Sequence, residues 1–274
     1  FGGDDGALKL ANPIASDLDM MRPSVLPNLV LAAQRNADRG HADVALFEVG
    51  PQYNGIEPDD QSLVATGIRF GRSGPRHWDA TPRAVDVFDA KADALAALEA
   101  AGAPVAGAQT TMDAPGWYHP GRSGALRLGK KVLATFGELH PRVLKRLDVK
   151  GPVVGFEVML DNLPPPKAKA SKTRPLLKPS PFQPVERDFA FVVADDVPAD
   201  KLVRAAQGAD KALIDRVSVF DVYAGEGIGA GKKSVAIAVR LQPTGATLTE
   251  GEIDAVAEKV VASVAKQTGG VLRS

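Results

Sequence analysis

The segment Thr249-Glu250-Gly251-Glu252-Ile253-Asp254-Ala255-Val256-Ala257-Glu258-Lys259-Val260-Val261-Ala262-Ser263-Val264 carries both a helix start and a helix face. Thr249 and Glu252 have the spacing of a capping box, in which each side chain takes the other's free backbone N–H. Ile253, Val256, Ala257, Val260, Val261 and Val264 recur at the steps that set them along one side of an α-helix. Such a helix needs a sheet to cover its apolar side. Working outward, residues 233–241 and 217–223 alternate as strands around a glycine-rich turn at 225–231. Residues 198–207 read as a helix with proline in its first turn. Residues 187–194 form a strand before it, and Val271-Leu272-Arg273 a last edge strand. The order is βαββαβ, the ferredoxin-like split βαβ unit.

Ahead of this unit the composition changes. Residues 164–184 hold seven prolines and five Lys or Arg, with no acid. Three consecutive prolines favour polyproline II, and the small basic run after them has no apolar surface to bury. Residues 164–180 are therefore expected to link a first domain at 1–163 to a second at 181–274. Residues 1–163 carry 17 basic and 20 acidic groups, residues 164–274 carry 16 and 13, and from Phe182 onward the count is 11 against 13. The positive excess belongs to the linker, read as a solvated spacer, with a phosphate-touching tether as the alternative.

The whole chain of 274 residues has 33 basic and 33 acidic groups, a formal charge of zero. That balance excludes a binder driven by bulk positive charge. Hydrophobic residues at 45% and charged residues at 24% exclude wholesale disorder. The absence of cysteine removes disulfides, thiolate zinc sites and cysteine nucleophiles together, and fits a reducing compartment. No apolar run reaches the ~18 residues of a membrane span, and no signal-peptide pattern is seen. The sequence begins at Phe1 without an initiator Met, so it reads as a piece of a longer chain.

The first domain mixes helices and strands, which makes the chain α+β. Ser24 is placed to cap a helix running to about Asp38, with Leu26, Leu29, Val30 and Ala33 on one face. Residues 44–49 read as a short buried strand, and 89–101 as a helix capped by Asp89 and stopped by Gly102. Residues 127–138 alternate as a hairpin turning at Gly129-Lys130, 141–147 form a short basic helix, and 152–159 another strand. A metal site can be drawn from His119, Glu138 and His140, since Glu138 and His140 share a strand face. No HExxH or paired-His spacing supports it, and structural turn histidines are the preferred reading. The glycines at 225–229 lie between strands, without the helix N-terminus that holds a phosphate. Neither a Walker loop nor a Gly-x-Ser-x-Gly elbow occurs.

One constellation is more specific. The stretch NPIASDLDMMRPSVLPNL at 12–29 is followed by LFEVG at 46–50, HPGRSG at 119–124 and GELHP at 137–141. PVERDFAFVV at 184–193 and FDVYAGEGIGAGKKSVAIAVRLQ at 220–242 complete the set. In these six ordered motifs, spread over nearly the whole chain, the sequence closely resembles the beta-subunit family of bacterial phenylalanyl-tRNA synthetases.

The resemblance implies a much longer chain, of which this sequence is the C-terminal third. It implies that residues 1–163 form a class II synthetase-like domain of mixed or antiparallel sheet that does not aminoacylate. Residues 181–274 would form a ferredoxin-fold anticodon-binding domain. The implied enzyme attaches phenylalanine to tRNA(Phe) with ATP and magnesium, as a cytoplasmic (αβ)2 heterotetramer whose active site lies on the catalytic alpha subunit. The implied partners are that subunit and tRNA(Phe), with no membrane and no cofactor held by these residues. Class II enzymes grip the ATP α-phosphate with the arginine of an Arg-x-Glu motif. If strand 46–48 is the matching one, Leu46 stands in the arginine's place, and Gly155-Phe156-Glu157-Val158 has no arginine after it. No catalytic residue is therefore assigned, and no adenylate formation is expected. The family's editing domain and magnesium site lie upstream of Phe1, so no metal ligand is assigned either.

In a βαββαβ fold both helices cover one sheet face. Alternation assigns Phe189, Phe191, Val193, Val217, Val219, Val235, Ile237, Val239 and Leu241 to that face. Ala190, Val192, Ser218, Phe220, Val222, Ser234, Ala236, Ala238 and Arg240 fall on the open one. The same count sets Asp221 among apolar residues, so a bulge or strand end is expected near it. The open face lacks the two or three aromatics with which an RRM stacks bases. Contacts to RNA backbone from Arg187, Arg216, Lys232, Lys233 and Arg240 are expected instead, with Phe220 or Tyr223 as a stacking platform. Asn12, Arg22, Glu48 and the turn at 119–123 are expected to shape the fold or the alpha-subunit contact. Two readings compete: a scaffold whose ferredoxin-like module binds protein without touching RNA, and a metal-dependent enzyme at His119 and His140.

Overall fold

A computed structural model of the chain describes residues 1, 6–16, 18–165, 176–177 and 179–273. It divides into two compact units, Phe1–Ala170 and Ser171–Ser274. Within the expected linker, residues 166–175 and 178 lie outside the described residues.

The first unit is built on an antiparallel sheet of β1 (Val44–Tyr53), β2 (Gln61–Phe70), β3 (Gln109–Thr111), β4 (Tyr118–Leu128), β5 (Lys131–Leu139) and β6 (Val153–Met159). Their spatial order is β1-β2-β6-β5-β4-β3. Helix α1 (Leu26–Ala37) covers one face, where Leu26, Val30 and Ala33 pack on Ile68 and Val153. Helix α2 (Val87–Ala100) covers the other, where Ala94 and Leu98 pack on Ala134, Val154 and Val158. A short α3 (Pro141–Arg146) follows β5.

Several local expectations shift here. The α1 N-cap is Val25, which makes no side-chain cap. The Ser24 hydroxyl instead accepts from the Leu26 N–H at 3.1 Å and donates to buried Glu157 at 2.9 Å. In α2 the N-cap is Asp86 rather than Asp89, and Asp89 is the reciprocal member of the capping box. β1 is ten residues long and half-exposed rather than short and buried, because it is the edge of the sheet. β2 escaped the sequence reading. It is buried on both faces at its centre, and a doubly covered strand shows no alternation to detect.

The second unit consists of β7 (Val185–Ala194), α4 (Ala199–Gln207), β8 (Ile214–Tyr223), β9 (Lys232–Leu241), α5 (Glu250–Thr268) and β10 (Val271–Leu272). The sheet order is β10-β7-β9-β8, the expected βαββαβ arrangement. Pro198 is the N-cap of α4, one residue before the helix. The α5 box forms as expected: the Thr249 N–H donates to Glu252 Oε2 at 2.8 Å, and Glu252 N–H returns to Thr249 Oγ1 at 3.4 Å. Gly269 ends the helix at φ 69°, a left-handed conformation that suits glycine. Ile253, Val256, Val260 and Val264 pack with Leu202 and Ala205 of α4 on Phe191, Val235, Ile237 and Val239. Among the described residues of this unit, no helix covers the other sheet face.

Candidate nucleic-acid interface

Strand pairing in the second unit sets residues into rows that share a face. The rows Phe191–Val235–Val222, Phe189–Ile237–Val219 and Arg187–Val239–Val217 lie on the helix side. The rows Val192–Ser234–Tyr223, Ala190–Ala236–Asp221, Asp188–Ala238–Ser218 and Glu186–Arg240–Arg216 lie on the open side.

A bulge decides who belongs where. The β8–β9 register shifts between Val219 and Asp221 and leaves Phe220 as the extra residue. Beyond it the alternation reverses. Asp221 comes to the open face, and Val222 joins the helix-side row opposite Val235. Val222 is therefore misplaced by simple alternation, which cannot count an unpaired residue.

The bulge and the rows split the seven expected RNA contacts. Tyr223, Lys232, Arg216 and Arg240 share the open face, Lys232 opposite Ala194. Phe220 stands at the bulge, 59% exposed. Arg187 and Lys233 do not join them. Arg187 borders Phe189, Val239 and Ile253 on the helix side, and Lys233 Nζ is spent on the Asp195 carbonyl at 2.7 Å. The seven do not form one basic patch.

Two residues outside the expected set belong to this face. The backbone N–H of Arg273 donates to the Ala190 carbonyl at 2.7 Å and extends the β10 edge. Its guanidinium then reaches across the sheet to lie 6.0 Å from the Tyr223 ring centroid, within cation–π range. Asp221 is exposed beside them. No local signal marks Arg273, since its role depends on β10 pairing with β7. The face thus mixes Arg216, Lys232, Arg240 and Arg273 with Glu186, Asp188 and Asp221. Such a surface favours directional contacts over bulk attraction.

In the first unit, His119 Nδ1 accepts from the Gly121 N–H and His140 Nδ1 from the Arg142 N–H, each at 3.1 Å. Glu138 pairs with Arg122 at 2.7 Å. The three are used in turns and an ion pair, and no group of three or more His, Asp or Glu suited to a metal occurs among the described residues. Glu157, 1% exposed, receives Ser24 Oγ, Trp117 Nε1 and Tyr118 Oη at 2.9, 3.1 and 3.2 Å. Its oxygens are occupied from within. Arg22 Nη1 meets Glu48 Oε1 at 2.6 Å and Arg22 Nε the Pro51 carbonyl at 2.9 Å, tying the N-terminal segment to β1.

No strand pairs with the outer edge of β1 among the described residues, though at its far end the Tyr53 N–H donates to the Arg22 carbonyl at 3.0 Å. On the face turned away from α1, Phe47 and Val49 are 79% and 56% exposed. They join Ala97, Ala100, Phe156 and Leu160 around an apolar groove of about 480 Å³. The Arg69–Asp93 ion pair, 2.6 Å, stands at its rim. No helix among the described residues is long and apolar enough to cross a membrane.

Comparison with known proteins adds a family. Residues 2–160 match the family model of the phenylalanyl tRNA synthetase beta chain CLM domain, and residues 180–273 that of the ferredoxin-fold anticodon binding domain. A phenylalanine–tRNA ligase beta subunit of Rhodospirillum rubrum is 61% identical over 274 residues, covering 100% of this chain and 34% of its own length. That of Paramagnetospirillum magneticum is 61% identical over 273 residues, again 100% of this chain and 34% of its own. The chain thus spans about a third of the length of the curated relatives it matches. A solved pyrrolysyl tRNA synthetase of Desulfitobacterium hafniense aligns at TM-score 0.39 and 15% identity over 56% of this chain and 50% of that one. A likeness so distant carries no argument.

Proposed function

The chain belongs to the phenylalanyl tRNA synthetase beta chain family, and we propose that it serves that ligase as a partner-docking unit joined to an RNA-binding unit. The partner is the catalytic alpha subunit, in an (αβ)2 assembly, and the RNA is the anticodon region of tRNA(Phe). The observation that carries the RNA role is the sheet face that no helix covers among the described residues, with Tyr223 exposed on it at the end of β8, in a unit that matches an anticodon-binding family. Tyr223 is 41% exposed and its ring already accepts a planar cation from Arg273. A base can take that position by stacking, while the freed guanidinium turns to a phosphate. Stacking is worth about 1–3 kcal/mol per base by alanine substitution. Tyr223→Ala is therefore expected to weaken tRNA(Phe) binding about five- to 150-fold in a filter-binding titration. An unchanged affinity would remove Tyr223 from the interface, and no tRNA binding by either protein would favour the protein-only scaffold.

The first unit, in this reading, is class II synthetase-like and non-catalytic. Two features support it. Leu46 packs against the α1 core rather than presenting a cation, and Glu157 spends its oxygens on internal donors. In this reading the ATP chemistry belongs to the alpha subunit. Pyrophosphate exchange by the isolated chain is the measurement that would overturn this.

A further inference from the structure

Residues 1–163 carry 17 basic and 20 acidic groups, yet one end of the first unit collects cations without partners. Arg142, Lys145 and Arg146 stand at i, i+3 and i+4 of α3, on the side away from buried Leu144. Lys150 follows on the loop to β6. All four are exposed, and among the described residues none enters an ion pair. The Lys150 N–H donates to Gln34 Oε1 at 3.1 Å, which sets the last turn of α1 and its exposed, equally unpaired Arg35 beside the loop. Against these cations stand Asp148 and Asp38, the latter accepting from Gln34 Nε2 at 2.7 Å. Glu138 is taken by Arg122 at 2.7 Å. Lys145 and Lys150 line one hollow of about 490 Å³ with Glu138 and Asp148.

Helix electrostatics accounts for only part of this set. Cations suit the last turn of a helix, which covers Lys145 and Arg146. Arg142 lies in the first turn, where a positive charge is unfavourable, and Lys150 lies past the helix altogether. Like charges at i, i+4 also repel, so Arg142 and Arg146 destabilise the free helix, and an anion relieves them. What the patch lacks selects that anion. Single-stranded RNA is held by aromatic stacking as well as by charge, and residues 142–152 include no aromatic. Duplex RNA is recognised by its shape and its phosphates, which call for several cations and no stacking. We propose that the α3 end of the first unit, through Arg142, Lys145, Arg146 and Lys150, holds the phosphate backbone of duplex RNA such as a tRNA stem. This contact belongs to a different unit from Tyr223 and reads no base. The proposal rests on the RNA-binding reading of the chain.

The test is fluorescence anisotropy of the full chain with a labelled, blunt-ended RNA duplex, titrated between about 50 and 200 mM salt. Four phosphate contacts predict a loss of affinity of about a hundredfold across that range. Lys145→Gln and Lys150→Gln should each cut the loss to about fortyfold, since each removes about one unit of salt slope. Lys130→Gln, at the opposite end of β5 from α3, and Tyr223→Ala should leave duplex binding unchanged. The substituted lysines are exposed, and circular dichroism verifies the fold. A salt slope that ignores both Lys145→Gln and Lys150→Gln would overturn the α3 contact. So would no duplex binding by a chain that still binds tRNA(Phe), and that result would leave the RNA-binding reading standing. A poly-glutamate peptide bound as tightly as the duplex, and released by the same substitutions, would make the patch a site for an acidic protein and also overturn it. Failure to bind duplex and tRNA(Phe) alike would remove the RNA-binding reading and this contact with it.

Discussion

Glu157 sits in the middle of β6 with three donors converging on a side chain that solvent does not reach. Burial pushes its carboxyl above the ordinary range, and the hydrogen bonds from Ser24, Trp117 and Tyr118 pull it back only in part. The native state therefore holds this proton more tightly than the unfolded chain does. The resulting stability is fully present below the unfolded carboxylate pKa and is lost as pH rises through the raised native value. Glu157→Gln removes the titration but turns an amide toward N–H and O–H donors, which costs about 1–3 kcal/mol. Urea unfolding followed by Trp117 emission should show the wild-type advantage over Glu157→Gln largest at acid pH and shrinking as pH rises. A pH-independent difference would mean that the carboxyl is not perturbed. None of this was legible beforehand, because Gly155-Phe156-Glu157-Val158 reads only as an apolar strand with one charge.

At the scale of elements, periodicity located most helices and strands; it failed where a strand is covered on both faces, as in β2, and where two local signals compete. Residues 86 and 89 are both Asp, and either can open a helix. Asp86 wins because its carboxylate accepts from the Phe88 and Asp89 N–H groups, while Asp89 turns back to the Asp86 N–H and to Arg83. The Arg83 guanidinium holds the Asp89 carboxyl below its usual range. Asp86→Ala is expected to destabilise the first unit by about 1 kcal/mol, read from the shift of its urea midpoint. No shift would return the cap to Asp89. The bulge at Phe220 is the other case, since its effect on Asp221, Val222 and Tyr223 cannot be seen without the register of β9.

For the molecule as a whole, we propose the outer edge of β1 and the apolar groove beside α2 as the surface that would dock an alpha subunit. Unpaired strand edges flanked by apolar side chains associate readily unless a partner covers them. Phe47→Asp places a charge at the centre of that surface and leaves the packing intact, since the ring is 79% exposed. Mixed with the alpha subunit, the wild-type chain should give a heteromeric mass by light scattering, and Phe47→Asp the two separate masses. A complex that survives the substitution would place the contact elsewhere on the first unit.

The order βαββαβ, the α5 capping box and stripe, and the Gly129-Lys130 turn were determined by sequence alone. Each rests on residues within a few positions of one another, where backbone geometry and local hydrogen bonding act directly. Tertiary structure alone decided that β1 is an edge, that Glu157 is enclosed and that Arg273 meets Tyr223. These depend on which distant strands become neighbours and on whether every residue of a strand finds a partner. A two-residue period carries no record of either.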